Sequence, residues 1–194
     1  MSLSDFAIAD TCFLIDWSYW SHRNVLFKLF RAVFVPEVVL REVKSERAVE
    51  WIAAMLASGQ LALYTETSDV VGLATRIVER SRLVPGLRGV DLPEAICLAV
   101  GKLRGYVVLT ENRGAIMAVD FLEELSGVVI WRALEVVKEA IRRGSITGDP
   151  RQVFKLYEEE TKHRFSRAEL EAVINELGGE AGEVEEAGGG GEGD

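Results

Sequence analysis

Cysteine, histidine and proline are scarce in this chain: two, two and four in 194 residues. Cys12 and Cys97 both lie inside apolar stretches, where a free thiol behaves as a small hydrophobe, so no disulfide framework is expected. His22 and His163 sit in polar segments, and no Cys/His spacing matches a zinc site. Both histidines are expected at the surface. No apolar run approaches the roughly 20 residues that span a bilayer. The opening MSLSDFA lacks the basic n-region of a secretory signal, so a cytoplasmic protein with no membrane partner is expected.

Base is also missing from one end. From Gly178 the chain reads GGEAGEVEEAGGGGEGD, with six acids and no lysine or arginine. Such a segment buries too little apolar surface to offset its ordering entropy, and disorder is expected over 178–194. Removing its charge of −6 from the net −9 leaves −3 on the body, which argues only weakly against a polyanionic partner.

What is present is an alternation of elements. Short apolar runs, FAIA, LALYT, YVVLT and GVVIW, alternate with segments of helical periodicity, and VFVP reads as an extended lead-in to a helix opening at Pro36. This order predicts an α/β fold: a three-layer α/β/α sandwich with a parallel central sheet of about four to five strands. Three further helical patterns follow, Ala133–Arg143, Pro150–Lys162 and Ala168–Leu177, with Ser166 and Glu169 spaced as a capping box. The expected organisation is a core over 1–131, a helical extension over 132–177 packed on it, and the acidic tail.

Ligands of open parallel sheets gather outside the carboxyl ends of the strands. Asp10 ends FAIA and Glu111 follows YVVLT, while Glu42 and Glu94 lie on helices of the same layer. Carboxylates from distant parts of the chain are thus expected at one sheet edge. Unpaired they would repel; around a divalent cation they become ligands. Asp91 and Glu94 also read as a capping box, so metal binding and helix capping compete for Glu94.

Taken in order, IADTCFLID, VPEVVLREV, DLPEAICLA and VVLTENRGA resemble the motifs of PIN domains over roughly 6–131. The segment RALEVVKEAIRRGSI is similar to the C-terminal extension of one subgroup of that family. The resemblance implies a PIN-like fold and an Mg²⁺- or Mn²⁺-dependent endoribonuclease. It also implies a VapC-type toxin, with an RNA substrate, an antitoxin protein as partner and a homodimer. It makes Asp10 the central metal ligand, with Glu42 and Glu94 binding directly or through water and Glu111 orienting a metal-bound water. Thr11 and Thr110 would aim those carboxylates, with Asp91 and Asn112 in support. Asn112 stands where many members carry an acid, which leaves Glu111 as the carboxylate at that corner and makes a weakened, non-catalytic module the alternative. Arg82, Arg88 and Arg113 would contact RNA phosphates, the other reading being a solvated helix face. A phosphatase using Asp10 as nucleophile would want an acid two residues on, where this chain has Cys12.

Overall fold

A computed structural model describes the backbone of residues 4–187 and the side chains of residues 4–179. β1 (Phe6–Ala9), β2 (Ala32–Pro36), β3 (Leu61–Tyr64), β4 (Val107–Leu109) and β5 (Ile130–Trp131) form one all-parallel sheet in the order β3-β2-β1-β4-β5. Ala7, Ile8 and Ala9 are wholly buried, as a central parallel strand covered on both faces requires. The segment VFVP is therefore more than a lead-in. As β2 it pairs with β1 (Ala7 opposite Val33) and with β3 (Val33 opposite Leu61).

The connections β1–β2–β3 travel one way across the sheet and β3–β4–β5 the other. Right-handed crossovers then place their helices on opposite faces. On the first face α1 (Thr11–Tyr19) packs with α3 (Glu37–Glu42) and α4 (Glu46–Ala57). On the second, α6 (Leu92–Arg104) lies on β1, β2 and β4 and touches α5 (Ser68–Leu83) and α7 (Arg113–Phe121). Gly105 closes α6 in the left-handed conformation (φ 70°), where glycine carries no Cβ penalty. Between α1 and β2 the chain makes a 3₁₀ turn (Arg23–Val25) that runs into the short α2 (Leu26–Leu29).

The extension comprises α8 (Ala133–Arg142), α9 (Pro150–Thr161) and α10 (Arg167–Ala187). Tyr157 of α9 packs edge-on to Trp20 at 5.2 Å and tilted on Trp17 at 5.8 Å, and both tryptophans are fully buried. Large aromatics that close in sequence supply much of the area holding α9 to α1. Glu169 does not serve as a reciprocal cap; its carboxylate accepts from Arg132 at 2.9 Å. α10 runs to Ala187, into the first part of the acidic tail where disorder is expected. The rest of that tail lies outside the described residues. Among the described residues, no helix is long and apolar enough to cross a membrane.

Gly101 tests how tightly the second layer is set. A Cβ there would lie 2.5 Å from Val108 Cγ2 and 3.2 Å from Val128 Cγ1. Alanine gains up to about 1 kcal/mol of helix propensity. Overpacking against stiff, β-branched valines costs about 1–3 kcal/mol. Gly101→Ala is thus expected to destabilise by about 1 kcal/mol, read as a lower urea midpoint at unchanged slope. A midpoint equal to the parent's would mean that α6 and β4 separate without cost.

Candidate active site

β1 and β4 are neighbours whose chains depart to opposite faces, so a crevice opens at their carboxyl ends. Asp10 is the first residue beyond β1. Its backbone N–H donates to Leu109 O, its Oδ1 accepts from Phe13 N at 2.9 Å as the N-cap of α1, and its Oδ2 accepts from the Thr110 hydroxyl. The Cys12 thiol lies 3.2 Å from both carboxylate oxygens. Three donors thus face a carboxylate only 2 % exposed. They do not offset its desolvation, and the Asp10 pKa rises to about 6, with the charge of Asp91 adding to the rise. Burial and the Asp10 charge push the Cys12 thiol up as well, so it stays protonated and donates.

A cavity of about 160 Å³ opens beside this group, lined by Asp10, Thr11, Cys12, Glu42, Asp91 and Glu94 among others. The sequence expectation that Asp10, Glu42 and Glu94 meet at one sheet edge therefore holds. Glu42, in the last turn of α3, is exposed and accepts from the Thr11 hydroxyl at 2.9 Å. Asp91 caps α6, and Glu94 completes the box: Asp91 Oδ1 accepts from Glu94 N at 3.2 Å and Glu94 Oε2 from Asp91 N at 3.1 Å. The second oxygen of Glu94 is free of the cap and accepts from Asn112 Nδ2. Burial, then the charges of Asp91 and Asp10, lift the Glu94 carboxyl to about 7.

Thr110 and Asn112 serve as the sequence suggested. Thr110 bridges Asp10 to the next loop by accepting from Asn112 N at 3.0 Å, and Asn112 caps α7 through Gly114 N and Ala115 N. Gly114 fits closely there: a Cβ would lie 3.0 Å from Asn112 Oδ1 and 3.2 Å from the Arg88 carbonyl oxygen, so the cap or that loop would have to shift to admit one.

Glu111 departs from the expectation. Its carboxylate accepts from Ala133 N at 2.6 Å at the start of α8, lies 3.6 Å from His163 Nε2, and lines a different cavity. In the loop after β4, Thr110 and Asn112 contact the cleft acids while Glu111 lines the other cavity. Burial raises its pKa to about 7. His163, expected at the surface, is half-buried between Asp16, 3.5 Å away, and Glu111, with its ring against Phe165. The Asp16 carboxylate holds its pKa above the usual histidine range. Arg82, Arg88 and Arg113 are exposed, as expected of phosphate contacts and equally of a solvated face. The part of Cys12 in the cleft was not foreseen; its place in an apolar run gave no signal for it.

Whether a cation suits the cleft is a question of donors. Hard carboxylate oxygens from three segments are what Mg²⁺ or Mn²⁺ takes, and burial lifts the pKa of two of these groups to about 6 and about 7. The composition fits, but the ligand set is not preassembled. Among the described residues, no three or more His, Cys, Asp or Glu side chains are already grouped to hold a metal ion. Glu42 and Glu94 would share with the ion the oxygens that accept from Thr11 and Asn112. Compared with known proteins, the chain matches no family model and no curated protein.

The raised acids make stability pH-dependent in a definite direction. Asp10 and Glu94 bind protons more tightly when folded, so their contribution is fully present below pH 3.8 and is lost as pH rises through about 6 to 7. In chelator, Asp10→Asn is expected to stabilise the fold by ~1–2 kcal/mol near pH 8 and by little near pH 4. Denaturant midpoints of parent and variant at both pH values check this. A variant equally destabilised at both would show that the Asp10 charge is needed as a cap rather than tolerated.

Proposed function

We propose that the chain is a metal-dependent endoribonuclease of the PIN type, with its centre at the crevice between β1 and β4. The observation that carries this reading is the convergence of Asp10, Glu42, Asp91 and Glu94 on one cavity from three separate segments, the end of β1, α3 and the start of α6, at the topological switch point. Asp10, Glu42 and Glu94 would hold Mg²⁺ or Mn²⁺. When bound, the ion supplies an activated water and neutralises charge on the phosphoryl oxygens.

The chain's own residues have separable parts in this reading. Thr110 and Phe13 N–H fix the Asp10 carboxylate so that it does not rotate out of the crevice. Asn112 and the Asp91 N–H hold one Glu94 oxygen each and set the direction of that carboxylate. Thr11 does the same for Glu42. The role of toxin opposed by an antitoxin, and the homodimer, belong to the same proposal.

One observation favours a second reading, a PIN-like module that binds RNA or a protein without efficient cleavage. Glu111 is engaged with Ala133 and His163, and the neutral Asn112 occupies the corner of the cleft beside Glu94.

Incubation of a mixed RNA pool with parent and Asp10→Asn, with Mg²⁺, Mn²⁺ or chelator, separates the two. On the first reading the parent cuts only with metal, and the variant loses more than about 100-fold, beyond what losing an orienting residue costs. Mg²⁺ should also raise the melting temperature of the parent and not of the variant. Cleavage that persists in chelator, or undiminished in Asp10→Asn, would rule the mechanism out. RNA bound but never cut would leave the second reading.

A further inference from the structure

The second cavity at this sheet edge, about 140 Å³, lies where the core meets the extension. Glu111, Arg113, Arg132, His163, Arg164 and Glu169 line it, three guanidiniums and a histidine against two carboxylates. The carboxylates already have partners. Glu111 caps α8 through Ala133 N and faces His163, while Glu169 accepts from Arg132. Two of the cations are less committed. Arg113 makes no ion pair or hydrogen bond among the described residues. Arg164 Nη1 lies 3.6 Å from Glu158 Oε2, beyond hydrogen-bond distance, while Arg167 and Phe165 N donate to the other oxygen of that carboxylate. Among the lining residues cations outnumber carboxylates. Glu135, Asp16 and Glu158 answer Arg132, His163 and Arg164 from outside the cavity. That leaves the Arg113 guanidinium, and Arg164 at its longer contact, to meet an anion. The first turn of α10, beginning at Arg167 beside the lining residue Ser166, adds the favourable end of a long helix dipole.

Its position relative to the acidic cleft is set by four consecutive residues. Thr110 and Asn112 contact the cleft acids Asp10 and Glu94, while Glu111 and Arg113 line the basic cavity. At most about 3.6 Å of chain per residue separates them, so the two sites share one loop as a common wall.

We infer that this basic cavity binds a phosphate of the nucleic-acid strand that enters the cleft, with Arg113 and Arg164 as its principal contacts. The inference rests on the cleft being a site for a nucleic-acid strand, but it does not need the strand to be cut. A guanidinium suits it because its donors match phosphate oxygens in pairs. The site would fix which bond of the strand lies over Asp10, and it makes the extension part of the substrate path.

The test uses the full chain in chelator, so that no cleavage occurs, and a short single-stranded RNA read by fluorescence anisotropy over a salt series. Arg113→Gln combined with Arg164→Gln is expected to weaken binding by about tenfold or more and to lower the salt slope by about 1 for each arginine removed. Both positions are exposed, and unchanged melting temperatures identify the loss as one of contact. Arg113→Lys with Arg164→Lys should restore most of the slope. Inorganic phosphate should compete with the RNA on the parent and not on the glutamine variant. Unchanged affinity and slope in the glutamine variant would overturn the proposal. Phosphate binding that depends on both arginines while RNA affinity does not would assign the cavity to a free anion and overturn its role in holding a strand. Loss of binding in a protein that never cuts RNA would support the phosphate site while the nuclease reading fell.

Discussion

Everything at the carboxyl edge of this sheet is arranged around one buried charge. Asp10 must cap α1, because the first turn of that helix leaves N–H groups without intrahelical acceptors, and it does so from a position that is almost closed to solvent. The cap fixes the angle at which α1 leaves β1 and therefore where Trp17 and Trp20 stand to receive the extension. The same carboxylate receives Thr110 from β4, which joins the two strands flanking the crevice beyond their own ladder. Fold and candidate site thus share a residue. The electrostatic cost of burying it is only partly offset by the donors around it, as its raised pKa shows.

That residual cost is what gives the cleft its chemical character. A single buried aspartate capping a helix needs no function to explain it. Asp91 and Glu94 crowd the same crevice, however; the Asp91 charge raises the pKa of both Asp10 and Glu94, and the Asp10 charge adds to the rise at Glu94. None of the described residues lining the cleft is a lysine or arginine. Instead, the nearest donors are a threonine, a cysteine, an asparagine and backbone N–H groups, all neutral. The missing positive charge can come from protons, which weakens the site as pH rises, or from a cation out of solution.

Much of this was legible beforehand, and the reasons differ by residue. Asp10 stood out because an acid ending a continuous apolar run has no bland place in a parallel sheet. Asp91 was legible as a cap from its spacing to Glu94 and from Pro93, and the α6 terminus from Gly105. β2 was read as less than a strand because Pro36 drew attention to the helix after it, whereas the register with β1 and β3 is a long-range fact. Glu111 could not be placed from sequence: the choice between cleft and basic cavity turns on the direction of one side chain, and its acceptor role depends on Ala133 arriving from β5. His163 likewise became half-buried only through α9 docking on α1. Sequence patterns report local periodicity, and both of these fates were decided by contacts more than 20 residues away.

The sharing of one loop by two oppositely charged cavities also explains why Glu111 need not be a lost ligand. Placed in the cleft, it would add a fifth carboxylate to a crevice whose acids already resist ionisation. Turned outward, it caps α8 and faces His163, so the extension is held to the core by the residue immediately after Thr110. Any movement of the extension would then be felt at Thr110 and Asn112, whose side chains hold Asp10 and Glu94. The helices after 131 are in that sense joined to the candidate site through the wall they share with it, and their packing on Trp17 and Trp20 sets how firmly that wall stands.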